Sequence, residues 1–163
     1  MIIKHIFKNH LKHKSKILKL INNMPDISLQ KKDESIIKSD WSLDSKFYRE
    51  YWQYFFPFLE PMIKDMGKKF YGELRIHNYW FQQYCNNNYY DWHNHPQCHF
   101  SSIYYLELPK GTPITEFKVS QEIKAKEGDI ITFPGYLIHR SPPNRLKKRK
   151  TVIVFNSSIY HQG

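Results

Sequence analysis

"EGDIITFPGYLIHRSPPN", residues 127–144, is the stretch whose reading decides the fold. Gly128-Asp129 reads as the turn into a strand, "IITF" as a short buried strand, and "PGYL" as a sharp change of direction that presents His139 at the strand's end. Around it lie other short runs rich in Ile, Val, Tyr, Phe and Thr: "GELRIHNYWFQQY" (72–84), "FSSIYYLELP" (100–109), "TEFKVS" (115–120) and "KTVIVFNSSIY" (150–160). Each is bounded by Asn, Pro, Gly or charged turns, which is the pattern of a sandwich or jelly roll. The part before Gly72 has a different period. Ile2, Ile3, Ile6, Phe7, Leu11, Ile17, Leu18 and Ile21 recur at helical spacing, "NNMPDISLQKKDES" (22–35) reads as a loop, and a second helix starts near Ser42 to Ser45. That second stretch carries Phe47, Tyr48, Tyr51, Trp52, Phe55 and Phe56 at steps of three and four before Pro57 and Pro61, and such a stripe is core. The expected architecture is mainly β with N-terminal helices: residues 1–70 form a helical lead-in packed on a jelly-roll core of residues 71–163 in one domain.

Upstream of the opening stretch lies "DWHNHPQCHF", residues 91–100. In an extended segment alternate side chains face one way, so His93 and His95 project together. With His139 presented from another strand, they make an open, facially coordinated metal site, and imidazoles suit Fe, Zn, Cu or Ni alike. Downstream, Arg149 opens "RKTVIVFN" two positions before Thr151. A guanidinium fork with a neighbouring hydroxyl suits a carboxylate, which points to a dicarboxylate co-substrate. Alternation sets Arg149 and Thr151 on one face and Lys148 and Lys150 on the other, and this reading takes Arg149 as the inward cation.

Composition sets the outer bounds. A chain of 163 residues, 40% hydrophobic and 17% aromatic, has material for one core. Two cysteines, Cys85 and Cys98, make no disulfide framework, so a reducing cytoplasm is expected, the host's if the chain is phage-encoded. No apolar run is long enough to span a bilayer, and "MIIKHIFKNHLKHKSK" lacks the apolar segment of a secretory signal and reads as a surface helix. The net charge of +10 invites a polyanion partner. A composition heavy in Lys, Asn, Ile and Tyr with the single alanine Ala125 gives the same charge through A+T-rich coding, so charge alone does not specify the partner.

The blocks "NYWFQQY", "WHNHPQCHFSSIYYLELP", "EGDIITFPGYLIHRSPPN" and "KRKTVIVFNSS", with the weaker "SIIKSDW", together resemble the Fe(II)- and 2-oxoglutarate-dependent oxygenase superfamily. The closer likeness is to the small oxygenases of phage and marine bacterial genomes. The resemblance implies a double-stranded β-helix, with Fe(II), 2-oxoglutarate and O2 as cofactor and co-substrates. Decarboxylation of 2-oxoglutarate would then be coupled to C–H oxidation of a substrate. It also implies His93 and His139 as metal ligands, Arg149 and Thr151 at the far carboxylate of 2-oxoglutarate, and Tyr104, Asn78 or Trp80 on the pocket wall. The superfamily's usual motif is H-x-D or H-x-E, and here His95 stands where the carboxylate belongs. The aligned position favours His95 as a ligand; water, Asp91 or His99 are the alternatives, with Pro96 disturbing the alternation that would bring His99 in line.

Two rival classes share some of these features. "GDIITFPGYLIHRSPPN" also resembles the second cupin motif, and a cupin-type metal enzyme would not use 2-oxoglutarate. Cys98 and His99 near the histidine pair raise a structural zinc site, although the spacing is not a standard one and Cys98 reads as a buried thiol. From a different class, the basic N-terminal helix and "RLKKRK" would serve a nucleic-acid-binding module. The substrate is open between a protein side chain, a nucleotide or nucleic acid, and a small metabolite.

Overall fold

The computed structural model describes residues 1–25, 29–31 and 34–163. Among these residues eleven strands form two antiparallel sheets. They are β1 (Ile3–Ile6), β2 (Leu29–Lys31), β3 (Glu34–Ile36), β4 (Lys38–Ser39), β5 (Glu73–Tyr84), β6 (Asn88–His93), β7 (Phe100–Glu107), β8 (Glu116–Phe117), β9 (Asp129–Pro134), β10 (His139–Asn144) and β11 (Lys150–Tyr160). The larger sheet runs β1-β9-β7-β11-β5-β4 and the smaller β2-β3-β6-β10-β8. Three helices, α1 (His10–Asn22), α2 (Glu50–Phe55) and α3 (Glu60–Lys69), cover the outer face of the larger sheet, with a 3-10 turn at Phe56–Leu59 joining the last two.

Alternation along the strands makes two cores. Phe81, Tyr104, Ile153 and Phe155 face the helices and pack against Ile17, Ile21, Tyr51, Trp52, Phe55 and Met66. Trp80, Ile103, Ile131, Phe133, Val152 and Val154 face the other way, into the space between the sheets. β11 pairs with β5 on one side and β7 on the other, and its long run of Val, Ile and Phe is buried on both faces.

The lead-in differs from a purely helical one. Ile3–Ile6 is a strand that pairs with β9, with Ile3 opposite Thr132, so the first helix starts only at His10. Ile2, Ile3, Ile6 and Phe7 also fit a helical period, but the open edge of β9 offers backbone hydrogen bonds that the first turns of an isolated helix lack. The second helix starts at Glu50, because residues 40–49 wrap around a buried ion pair instead. The Asp40 carboxylate accepts from Arg49 Nε (2.7 Å), Tyr51 Oη (2.7 Å) and the Phe81 amide (2.8 Å), fastening the segment to β5. Burial pushes the Asp40 pKa up against these bonds. Part of the stretch read as a loop, residues 26–28, 32 and 33, lies outside the described residues; Leu29–Lys31 and Glu34–Ile36 pair antiparallel. "TEFKVS" supplies only the two-residue β8.

Candidate metal centre

β6 and β10 bring the histidines together. His139, the first residue of β10, lies opposite His93, the last of β6, so their rings approach to 4.3 Å between centroids. His95 follows β6 in the next turn, 5.2 Å from the His93 ring and 5.1 Å from that of His139. One ring nitrogen from each of the three falls within 4.8 Å of the others, as ligands of a single ion do.

Two of the imidazoles are oriented by their own backbone. His93 Nδ1 bonds the Asp91 carbonyl at 2.6 Å and His139 Nδ1 bonds that of Leu137 at 2.8 Å. A carbonyl only accepts, so Nδ1 carries the proton and Nε2 keeps its lone pair. Burial and the neighbouring imidazoles lower the His95 pKa to about 4 and that of His139 to about 3, and burial lowers that of His93 as well. The three are therefore neutral at pH 7, the form that ligates. Three converging neutral imidazoles, two of them with their tautomer fixed, fit a divalent transition metal.

His95 is held through Gly135. The His95 amide donates to the Gly135 carbonyl at 2.7 Å, and the Gly135 amide donates to that of His99 at 3.0 Å. A Cβ at position 135 would strike the carbonyl oxygens of His95 and Cys98. The glycine of "PGYL" thus lets the β9–β10 turn lie directly against the H-x-H turn. Asp91 and His99, the alternatives to His95, are engaged elsewhere. Asp91 Oδ1 accepts from the Trp92 amide, and His99 Nδ1 accepts from the amide of Ile159. Cys98 Sγ donates to the His95 carbonyl, and burial raises its pKa to about 11, so it stays a thiol.

The triad opens into a cavity of about 320 Å³ between the sheets. Asn78 and Trp80 line it. Tyr104 does not: it faces the helices and bonds His10 Nδ1 at 2.6 Å, while its neighbour Ile103 takes the cavity side. Arg149 and Thr151 do not line it either. Arg149 Nε donates to Glu107 Oε1 at 2.8 Å and Nη1 to Asn22 Oδ1 at 3.2 Å, and Thr151 Oγ1 donates to the same Glu107 oxygen at 2.8 Å. Two faces of β11 were correctly separated by alternation, but the inward one carries Lys150, Val152, Val154 and Asn156.

Two cations line this cavity: Arg140, whose Nε pairs with Glu116 at 2.7 Å, and Lys150. The Lys150 side chain is buried, Nζ donates to Ser141 Oγ at 2.8 Å and the Pro113 carbonyl at 3.0 Å, and it sits 4.9 Å from the Tyr84 ring centre. Both oxygens are neutral, and among the described residues no carboxylate pairs with it. Desolvation lowers its pKa from 10.5 to about 7.

Two bulges add cavity residues. The β6–β10 register slips between His139 and Ser141, so Tyr90 and His93 reach the same side although three apart; a second slip after Asn156 brings both His77 and Asn78 to the lining.

No protein-family model matches the sequence, and no curated protein matches it. Solved structures do. A 2OG-Fe(II) oxygenase family oxidoreductase from Burkholderia pseudomallei superposes with a TM-score of 0.76 at 12% identity over 99% of this chain and 87% of that one. A prolyl-4-hydroxylase from Pseudomonas putida gives 0.70 at 10% identity over 99% and 93%. A viral collagen prolyl hydroxylase from Paramecium Bursaria Chlorella virus-1, in its 2OG complex, gives 0.65 at 15% identity over 96% and 94%. The chain therefore has the double-stranded β-helix fold of the Fe(II)- and 2-oxoglutarate-dependent oxygenases.

Proposed function

We propose that the protein is an Fe(II)- and 2-oxoglutarate-dependent oxygenase in which His93, His95 and His139 hold the iron and Lys150 anchors 2-oxoglutarate. The observation that carries this reading is the buried Lys150 in the same cavity as the triad, with no acidic partner among the described residues. An ammonium in that position is stabilised by an entering carboxylate more than by its two neutral acceptors. Ser141, which touches Lys150, lies two residues beyond His139 on β10, a strand distance of about 7 Å. A five-carbon diacid reaches across that interval, one end on Lys150 and Ser141 and the other at the metal. Bound iron would supply oxygen activation coupled to oxidative decarboxylation of the 2-oxo acid. The chain's own part is to keep three imidazoles neutral, fix the diacid's direction, and exclude water with Trp80, Ile103, Val152 and Val154.

The all-histidine triad also suits a cupin-type enzyme that does not take 2-oxoglutarate. Incubation with Fe(II), oxygen and 2-oxoglutarate separates the two. The oxygenase releases succinate and carbon dioxide, and His139→Ala abolishes the release; absence of 2-oxoglutarate binding to the iron-loaded protein would leave the cupin reading.

A further inference from the structure

The cavity has a second end. Along the inward face of β11, Lys150 stands at one extreme and Asn156 at the other, six residues or about 20 Å away. Between them Trp80, paired with Val154, brings its ring to 5.7 Å from that of His95. If 2-oxoglutarate occupies the Lys150 side, as proposed above, the Asn156 side is left for the substrate.

That end has unmet hydrogen-bonding capacity. Asn156 lies directly across from Asn78 in the β5–β11 pair, and the side-chain oxygen of each is buried with no partner. The Trp80 indole N–H is buried and unpartnered as well. Asn156 is 6% exposed and Trp80 4%, so neither group reaches bulk water. Orphaned buried groups of this kind cost stability unless a ligand completes them. Directly opposite residues in such a pair carry Cβ atoms about 5 Å apart, so one planar ring meets both amides. Trp41 stands edge-on to Trp80 at 4.5 Å between ring centres, lines the same cavity and is half exposed. Besides the metal-facing His95 and the exposed His77, the described lining at this end holds no ionisable group, so a charged occupant would be buried unpaired.

We propose that the Asn78–Asn156 end of the cavity is a substrate subsite for a nucleobase, whose amide-type edge meets the two asparagines and the Trp80 N–H while the indole of Trp41 covers its face. A nucleobase has a neutral donor–acceptor edge and a stacking face together, and enzymes acting on bases read them through those two features.

The test uses the Zn(II)-loaded protein, which does not turn over, with and without saturating 2-oxoglutarate. Uridine, cytidine, adenosine and guanosine are titrated by ligand-observed NMR, together with N-acetylprolinamide as a peptide amide. Nucleosides lack phosphate, so no charge pairing with Lys150 contributes to their binding. At least one nucleoside should bind, roughly tenfold more weakly in Asn156→Leu and in Trp41→Ala, with the 2-oxoglutarate affinity of both variants within twofold of the parent. Trp41 is exposed, so its variant leaves the fold intact should Asn156→Leu not. Nucleoside binding that neither substitution weakens, no nucleoside binding, or binding of the proline amide alone overturns the inference. Failure of 2-oxoglutarate to bind instead counts against the oxygenase reading, and the titrations without it still judge the subsite.

Discussion

Two cations one residue apart meet opposite surroundings. Arg149 is a third exposed and bound to Glu107 through Nε, with Asn22 on Nη1 and Thr151 on the same carboxylate. Lys150 is buried, hydrogen-bonded among the described residues only to neutral oxygens, and its charged form is disfavoured by desolvation. The outward cation is neutralised by the chain itself and contributes to fold. The inward one is left without a counter-charge, which stability alone does not favour and an anionic ligand explains.

Substitutions at the two positions should therefore separate affinity from stability. Lys150→Met should weaken 2-oxoglutarate binding about 100-fold, as loss of a charge-assisted anchor does. The same change should raise stability by ~1–3 kcal/mol, since an apolar chain of similar length replaces an unpaired buried charge; calorimetry and denaturant unfolding of one preparation check both. If Lys150→Met loses stability and keeps affinity, the contrast between the two cations is broken.

A smaller effect is expected at the turn that carries His95. Gly135→Ala must displace the His95 and Cys98 carbonyls, so Zn(II) affinity measured against a chelator should fall about tenfold or more while the sheets persist. Unchanged affinity would mean that His95 is not held by this contact.

Protons give a third probe. In the unfolded chain Lys150 titrates near its ordinary 10.5, and in the ligand-free fold near about 7. Between those values the unfolded state binds more protons, so this group makes the fold more stable as pH rises through the window, and its cost is fully present below about 7. The slope of stability against pH across that range should flatten in Lys150→Met.

Arg149→Ala should do least. Its pair is partly exposed, so a loss of about 1 kcal/mol or less is expected, with 2-oxoglutarate affinity within twofold.

Much of the site was legible because its determinants are local. The H-x-H alternation, the glycine turn and the strand ending at His139 depend on neighbours in sequence. Choosing between Arg149 and Lys150 was not local: alternation defines two faces of β11, but which is inward depends on Glu107 of β7, opposite Thr151, drawing Arg149 and Thr151 to the helix side. Tyr104 fails for the same reason, since His10 of α1 claims its hydroxyl. The β1 strand was hidden because Ile2, Ile3, Ile6 and Phe7 fit a helical period, and only the edge of β9 decides. Asn156 drew no attention in sequence, as an asparagine within an apolar run carries no motif; its meaning comes from standing across from Asn78.

The most direct test is anaerobic titration calorimetry of 2-oxoglutarate into the Fe(II)-loaded protein at pH 8, in two buffers of different ionisation enthalpy. Lys150 is mostly neutral there before binding, and a bound carboxylate restores its charge, so binding should take up close to one proton, an uptake absent in Lys150→Met. No binding, or binding equally tight in Lys150→Met without change in proton uptake, would contradict the account.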